Sequence, residues 1–379
     1  MRDFLLSFGG EKLYWLPLLL FCLLFMLIKL NNIIIFSLVA FFISWIVYPR
    51  YIKILKRYKI GQTIREVSVT WDKAPIYTQL HQHKQWTPTM GGFILLIVMA
   101  LMIALSFWLK DHNFINNALV NRQETYVLLF GFFTMGLLWF VDDFLNVKGH
   151  GAVKGLSAKA KLIWMVVIAG LISRWFYSKL GIDYINLRPL AGKVSIGIFY
   201  PIITFFVTIS IVNAINITDG LDGLAGGLMT MILFVLAVLT FFNGTFIATT
   251  VLGIIIATLV AFMFYNIHPA KIFMWDSWAF ALGWLLSVLL FMLNMRMGIF
   301  IPFIILFGLF IINILSVLLQ IIWKKYFKRK LFAVSPLHHL FEHRGIHETT
   351  IVMKARFIQG ILAAITIIAI FYQLNGTLL

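Results

Sequence analysis

Two apolar segments, LAGGLMTMILFVLAVLTFF (Leu224–Phe242) and TFIATTVLGIIIATLVAFMFY (Thr245–Tyr265), contain no charged residue and decide the fold class. Each approaches the roughly 20 residues with which an α-helix crosses a bilayer. The whole chain is 61% hydrophobic and only 12% charged, with a mean hydropathy of +0.96, so one soluble core could not enclose its apolar residues. The composition predicts an all-α, polytopic integral membrane protein.

Ten such spans follow one another along the chain, which predicts a single transmembrane domain over residues 1–379. In chain order, the predicted spans are Ile33–Tyr48, Met90–Leu109, Tyr126–Val141, Leu162–Tyr177, Ser195–Ile215, Leu224–Phe242, Thr245–Tyr265, Trp278–Asn294, Ile299–Trp323 and Ala355–Gln373.

An apolar extension, residues 1–32, precedes the first span. Its segment Leu13–Ile28 is either a further short span or a helix at the membrane interface. We do not expect a cleavable signal, because no strong basic cluster precedes this segment and no A-x-A site follows it. The single cysteine, Cys22, excludes a disulfide framework and a cysteine-based metal site.

Positive charge is concentrated on one side of the predicted membrane. The net charge is +17, and 20 of the 31 Lys and Arg residues fall in one set of alternate loops, whereas the opposite loops hold six. By the positive-inside rule the first set is cytoplasmic, and ten spans then put both termini outside. These loops are Pro49–Thr89, Asp142–Lys161, Asn216–Gly223, Asn266–Ser277 and Lys324–Lys354.

The cytoplasmic segment NITDGLDGLAGG (Asn216–Gly227) carries two aspartates between two spans. A charge at the bilayer centre costs roughly 2.5 to 3.5 kcal/mol, so Asp219 and Asp222 are expected at the membrane surface or in a polar cavity. If the segment is helical, their spacing of three puts both carboxylates on one face. Its glycines allow a ligand to approach, although a polar turn whose glycines serve helix packing explains them equally well.

Three more aspartates lie at the same membrane surface. Asp142 and Asp143 end an apolar run in FVDDFLN, and as neighbours on a helix they point in different directions, which favours separate roles. Asp276 precedes a span in NIHPAKIFMWDS. Carboxylates from three loops fit a Mg²⁺ site shared with phosphates, and the surrounding basic residues suit an anionic substrate.

The segment SPLHHLFEHRG adds His338 and His339 to this surface. The spacing of His339 and His343 could hold zinc, but the pattern is not H-E-x-x-H, and imidazole binding to a phosphate is favoured. A basic segment that touches anionic lipid is the other interpretation.

The segment HQHKQWTPTMGG brings Lys84 and Thr89 to the start of a span. A lysine and hydroxyl groups near a helix amino terminus indicate an anion site, whereas the alternative is only a capped helix.

The ordered set KxxTPTMGG, FVDD, KGL, NAINITDGLDGLAGG, NxxPAxxFMxD, SVxxQ and PLHHxxE runs from about Gly61 to the last span. It resembles the polyprenyl-phosphate N-acetylhexosamine-1-phosphate transferase superfamily, and within it the phospho-N-acetylmuramoyl-pentapeptide-transferase family. The resemblance implies a ten-span helical enzyme of the bacterial inner membrane with a cytoplasmic active-site cleft. Such an enzyme transfers phospho-MurNAc-pentapeptide from UDP-MurNAc-pentapeptide to undecaprenyl phosphate, giving lipid I and UMP, and depends on Mg²⁺.

The resemblance also implies residue roles. Asp276 would bind the metal, Asp142 would deprotonate or orient the lipid phosphate, and Asp143 would support it. The uridine end of the substrate would contact Lys84, Gly220, Leu221, Asp222, Asn266 and Phe273, with Asn216 and Asp219 beside them. The sugar phosphate would contact Thr89 and the catalytic pair His338 and His339. Direct attack by the lipid phosphate is preferred over an aspartyl-phosphate intermediate, and both stay open at this stage.

The sequence departs from the family pattern near the predicted cleft. The family has D-D-x-x-K, M-G-D-x-G-S, a third histidine after H-H and a glutamate before SVxxQ. Asn146 replaces the lysine of the first pattern, although Lys148 could substitute for it, and Trp275, Trp278 and Ala279 replace the two glycines and the serine of the second. Leu340 replaces the third histidine, and Asn313 replaces the glutamate. The segment Glu66–Leu80 is also longer than expected. Whether these changes leave the activity normal, altered or lost is open.

Other functions remain to be compared. A sibling transferase using UDP-GlcNAc shares the aspartates but generally lacks PLHHxxE. A transporter of nucleotide sugars or lipid phosphates usually has internal repeats, which this sequence does not show, and a non-catalytic lipid-binding relative is favoured only by Trp275 and Trp278. Membrane lipids are expected partners and nucleic acid is not, and the oligomeric state stays open, a homodimer included.

Overall fold

The computed structural model describes residues 15–61, 84–121, 124–148, 158–274 and 276–375. Within these ranges the chain is almost entirely helical, which confirms the all-α prediction. The α-helices are α1 Trp15–Arg57, α2 Phe93–Asp111, α3 Tyr126–Lys148, α4 Ala158–Arg174, α5 Phe199–Thr218, α6 Leu224–Phe242, α7 Phe246–Asn266, α8 Asp276–Met297, α9 Phe300–Leu306, α10 Gly308–Phe327, α11 Leu337–His343 and α12 Glu348–Asn375. A π-helical turn, Trp175–Lys179, extends α4.

Ten of these helices are long and apolar enough to cross a membrane, and each contains one of the ten predicted spans or overlaps it. Helix α8 lies at the centre of the bundle, where it packs between α3 and α5, and 89% of its most apolar window is buried. The last span, α12, has only 17% of its window buried, so most of its surface is free to face lipid.

The predicted span Ile299–Trp323 is wrong as one helix, because the structure divides it at Phe307 into α9 and α10. The ring of Phe307 stacks on Phe303 and Phe310, with centroids 5.5 and 4.7 Å apart, so aromatic packing holds the break. The run is apolar on both sides of Phe307, so hydropathy alone does not locate the break.

The predicted span starting at Ser195 begins four residues too early. Residues Lys193–Ser195 form strand β2, which pairs antiparallel with β1, Tyr184–Asn186, and helix α5 begins only at Phe199. Gly197 has a φ of +52°, which ends the strand before the helix starts. This hairpin was not predicted from the sequence.

The apolar stretch Leu13–Ile28 is not a separate helix where it is described. Helix α1 runs without interruption from Trp15 to Arg57, a length of 43 residues. At 1.5 Å per residue it is about 65 Å long, roughly twice the hydrocarbon thickness of a bilayer.

Candidate active site

Residues from the five predicted cytoplasmic loops meet at one end of the helix bundle. Lys84, just before α2, reaches Asp222 in the α5–α6 turn and Glu348 at the start of α12. At the same end, Asp142 on α3 lies beside Asp276, the first residue of α8. Alternate loops therefore share a face, as the predicted topology requires.

Three carboxylates form the first cluster of the site. Asp142, Asp143 and Asp276 each offer an oxygen atom, and these atoms lie within 4.8 Å of one another. Although Asp142 and Asp143 are neighbours on α3, both contribute to this cluster, and both are almost fully buried. The side chain of Asp276 is 35% exposed, which leaves the cluster accessible from one side.

Lys161 supplies positive charge to this cluster. Its Nζ lies 2.5 Å from Asp142 Oδ2 and 3.8 Å from Asp276 Oδ2, and it sits 4.8 Å from the ring centroid of Trp139. Sequence reasoning missed this residue as a site member. The available signal was its position at the end of the same basic loop that begins with Asp142.

The end of α5 supports the exposed carboxylate. Asn216 Nδ2 donates a hydrogen bond of 2.7 Å to Asp276 Oδ1. Asp219 follows directly after α5, and burial, together with the carboxylates of Asp276 and Asp222, raises the pKa of Asp219 to about 7. Burial is the larger cause of this rise, and the two neighbouring carboxylates add to it.

The second cluster is a buried network around Asp222. Its Oδ1 accepts a hydrogen bond of 2.8 Å from Lys84 Nζ, and its Oδ2 lies 3.0 Å from His268 Nδ1 and accepts a 3.0 Å bond from the backbone N–H of Ala270. Lys84 also contacts Glu348 Oε1 at 2.6 Å. Sequence reasoning missed Glu348, which stands outside every quoted motif.

Mutual neutralisation keeps this network charged. Burial opposes ionisation of both Lys84 and Asp222, but the attraction between their opposite charges outweighs the effect of burial. For Lys84, the carboxylate of Glu348 adds to this attraction. The pKa of Lys84 is accordingly raised and that of Asp222 lowered from the usual values.

The idea that Asp219 and Asp222 share a helix face is wrong. Helix α5 ends at Thr218, α6 begins at Leu224, and the residues between form a turn that closes at Gly223 with a φ of +72°. Asp222 joins the Lys84 network, whereas Asp219 is close enough to both Asp276 and Asp222 for their charges to interact.

Two histidines on α11 face this turn. A Cβ atom added to Gly220 would lie 2.4 Å from His338 Nε2 and 2.8 Å from His339 Nε2, so only glycine leaves them room. His338 Nδ1 lies 3.2 Å from Asn313 Oδ1, and His339 Nδ1 lies 2.7 Å from Glu342 Oε2. Among the described residues, two groups could hold a metal ion by their geometry, Asp142 with Asp143 and Asp276, and Asp222 with His268 and Glu348. Neither group includes His338 or His339, so a zinc site there gains no support.

The TPTMGG segment is tied to the α7–α8 loop by its backbone. Phe273 N–H donates to Pro88 O at 2.8 Å, and Gly91 N–H donates to Phe273 O at 2.9 Å. The cap residue of α2 is Gly92, which makes no side-chain capping bond. Thr89 is fully buried, and its hydroxyl has no hydrogen-bond partner within the described ranges, so its polar group is available for a ligand.

The comparisons with known proteins agree with this arrangement. Residues 125–294, which carry the carboxylate cluster, match the family described as Glycosyl transferase family 4. The phospho-N-acetylmuramoyl-pentapeptide-transferase of Clostridium novyi is 32% identical over 341 residues, covering 89% of this chain and 97% of that protein. The chain belongs to the phospho-N-acetylmuramoyl-pentapeptide-transferase family.

Two further members of the family support the same assignment. The transferase of Anoxybacillus flavithermus is 33% identical over 315 residues, covering 83% of this chain and 90% of that protein. The transferase of Clostridioides difficile is 33% identical over 349 residues, covering 91% of this chain and all of that protein. Ten helices in the described ranges are long and apolar enough to cross a membrane, and together with these relatives they make the chain a multi-pass bacterial membrane protein.

Trp278, which departs from the family pattern, is buried inside the helix bundle. Trp278 is 0% exposed, and its ring lies edge-on to Phe262 with 5.1 Å between centroids. A Cβ atom on Gly92 would lie 2.7 Å from Trp278 Cβ, so the glycine makes room for the indole. Trp278 therefore fills the core beside Asp276, and Ala279 next to it is buried as well.

The other departures have separate outcomes. Asn313 holds His338, and Leu340 is buried on α11, so both take part in packing around the histidines. Trp275 and the segment Glu66–Leu80 lie outside the described residues. The same holds for the side chains of Asn146 and Lys148, so the suggested substitution by Lys148 stays a prediction, while Lys161 is a lysine that does reach Asp142.

Replacing Trp278 by the glycine of the family pattern is expected to destabilise the protein by about 3–5 kcal/mol, because truncating a buried Phe or Trp leaves a cavity of that cost. The thermal midpoint in detergent measures this effect. Trp164→Gly is the matched control, since Trp164 is exposed on α4 and loses little packing. Equal midpoints for the two variants would contradict the buried position of Trp278.

Proposed function

We propose that this chain transfers phospho-MurNAc-pentapeptide from UDP-MurNAc-pentapeptide to undecaprenyl phosphate, giving lipid I and UMP for peptidoglycan synthesis. It acts in the bacterial cytoplasmic membrane, with its site on the cytoplasmic face. The observation that carries the proposal is the carboxylate cluster of Asp142, Asp143 and Asp276, lying at the same end of the bundle as the buried Lys84 network. This is the layout that a transfer between two phosphate-bearing substrates requires.

The carboxylate cluster suits a magnesium ion. Its three side chains supply only hard oxygen ligands, which Mg²⁺ prefers, and the partly exposed Asp276 leaves one side open to substrate phosphates. We assign Asp276 as the metal ligand, with Asp142 and Asp143 beside it. When bound, Mg²⁺ would neutralise phosphate charge during transfer.

The turn between α5 and α6 joins the metal side of the site to the nucleotide side. We place the uridine end near Gly220, Leu221 and Asp222, where Lys84 and the Asn266–Phe273 loop close the opposite wall. Asn216 and Asp219 lie between this region and Asp276.

The sugar phosphate would lie near Thr89, His338 and His339. The Nε2 atoms of both histidines point at the Gly220 turn, and imidazole donors there can hold phosphate oxygens. The buried hydroxyl of Thr89 offers one more donor.

In the reaction, an oxygen of undecaprenyl phosphate attacks the β-phosphorus of UDP-MurNAc-pentapeptide, and the bond from that phosphorus to the bridging oxygen breaks to release UMP. Asp142 orients the lipid phosphate and accepts any proton that it still carries, and Lys161 contacts the same carboxylate. Asp143 supports this pair. Phosphoryl transfer depends mainly on positioning and charge neutralisation, so direct attack needs no covalent enzyme intermediate.

The proposal is tested by following UMP release from UDP-MurNAc-pentapeptide by the purified protein in detergent. We expect release that requires undecaprenyl phosphate and divalent metal, and that stops with EDTA and returns with Mg²⁺. Replacing the donor by UDP-GlcNAc is the control for substrate class. Release from UDP-GlcNAc alone would reassign the chain to the sibling reaction, and no release from either donor would refute the proposal.

A further inference from the structure

Two charged residues of the last helix reach the turn between α5 and α6. Glu348 is the first residue of α12, and Arg356 lies eight residues further along it. Eight residues are slightly more than two helical turns, so both side chains leave the same face of α12, about 12 Å apart along its axis. That face packs against α6, whereas most of the rest of α12 is exposed.

Glu348 fixes one end of the turn. Its Oε1 accepts a hydrogen bond of 2.6 Å from the backbone N–H of Asp222 as well as the 2.6 Å contact from Lys84. The carboxylate is 6% exposed, so both bonds are made in a largely dry environment where charge-assisted hydrogen bonds are strong.

Arg356 fixes the other end. Its Nη2 donates a hydrogen bond of 2.7 Å to the carbonyl of Gly223, while the N–H of Gly223 donates to Asn266 Oδ1 at 3.0 Å. A Cβ atom on Gly227 would lie 2.4 Å from Arg356 Nε, so the glycine is what admits the guanidinium. Both backbone polar groups of Gly223 are thus held by other helices.

We propose that Glu348 and Arg356 are positioning residues, through which α12 sets the shape of the Asp219–Gly223 turn for the nucleotide sugar. The inference rests on the proposed function, which puts the uridine end at this turn. Backbone bonds within the segment involve Asp219, Gly220 and Leu224, whereas the N–H of Asp222 and both polar groups of Gly223 are held by side chains of other helices. The shape of the turn therefore depends on those side chains. Small misplacements of positioning groups cost up to about 100-fold in rate.

The test compares Glu348→Gln and Arg356→Met in the full-length protein, measuring KM for each substrate separately. We expect KM for UDP-MurNAc-pentapeptide to rise about tenfold, while KM for undecaprenyl phosphate stays within twofold. Lys354→Met is the matched control, because Lys354 is exposed on the same helix and its removal deletes the same charge. Arg356→Lys, which keeps the charge and a donor, should restore part of the affinity.

A double-mutant cycle separates positioning from general stability. Gly227→Ala should displace the guanidinium and raise KM as Arg356→Met does, and the double variant should be no worse than either single variant. Lower thermal midpoints with both KM values unchanged, or fully additive effects on KM, would overturn the proposal.

Direct binding keeps the inference distinguishable from the proposed reaction. UMP is titrated into the wild type and the variants by calorimetry, which needs no turnover. If the wild type binds UMP but releases no UMP from either donor, the proposed reaction is refuted. In that case a tenfold weaker affinity of the variants for UMP would still support the positioning role. Equal UMP affinity in all proteins, or no UMP binding by the wild type, refutes that role.

Discussion

Asp276→Asn is expected to lower UMP release by at least ~100-fold, because losing even an outer partner of a metal site costs 10–100-fold and Asp276 is assigned as a direct ligand. The change keeps the size of the side chain and a polar atom for Asn216, which donates to Asp276 Oδ1 at 2.7 Å. The fold should therefore survive while the charge is lost. Release is measured at saturating substrates over a range of Mg²⁺ concentrations.

Asp183→Asn is the matched control for this variant. Asp183 is exposed beside the β-hairpin, where it accepts a hydrogen bond from Ser195, and it is remote in the chain from the three aspartates of the carboxylate cluster. The same charge change there should leave UMP release within twofold. Near-normal release by Asp276→Asn at low Mg²⁺ would show that the metal is held elsewhere.

The spans could be predicted because one-dimensional hydropathy is set by the bilayer. What it could not supply was backbone geometry. The break at Phe307 depends on three stacked rings, and the hairpin before Phe199 depends on pairing between short segments, Tyr184–Asn186 and Lys193–Ser195, with no strong pattern of their own.

Some residues of the site could also be predicted from the sequence, and others could not. Motifs identified Asp142, Asp276 and Lys84, because charges beside apolar spans stand out against the composition. Glu348 and Lys161 were missed, since each is an ordinary charged residue in a loop or at a helix start until the fold brings it to Asp222 or Asp142. Glu348 and Lys161 can therefore be assigned to the site only from the contacts that they make in the folded protein.

The consequences of Trp278 were also beyond the sequence. A tryptophan where the family pattern has glycine left the effect on activity open, because the direction of its side chain depends on the room beside Gly92 and Phe262. Only the packed structure shows that the indole points into the core.

Lys84→Met is expected to destabilise the protein by about 3–5 kcal/mol, the usual cost of removing one partner from a buried ion pair. The variant leaves Asp222 and Glu348 facing each other without the ammonium that joins them, at side-chain exposures of only 3% and 6%. The thermal midpoint in detergent should fall well below that of Lys110→Met, which removes an exposed lysine at the end of α2.

The double variant Lys84→Met/Glu348→Gln separates the two roles given to Lys84. Neutralising Glu348 removes one of the two unpaired charges, and His268 still contacts Asp222 at 3.0 Å, so part of the lost stability should return. Affinity for UMP should stay below that of the Glu348→Gln single variant, because the ammonium assigned to the nucleotide is still missing. Recovery of both together would mean that Lys84 serves only the folded state, whereas recovery of neither would mean that the network does not carry the electrostatic cost assigned to it.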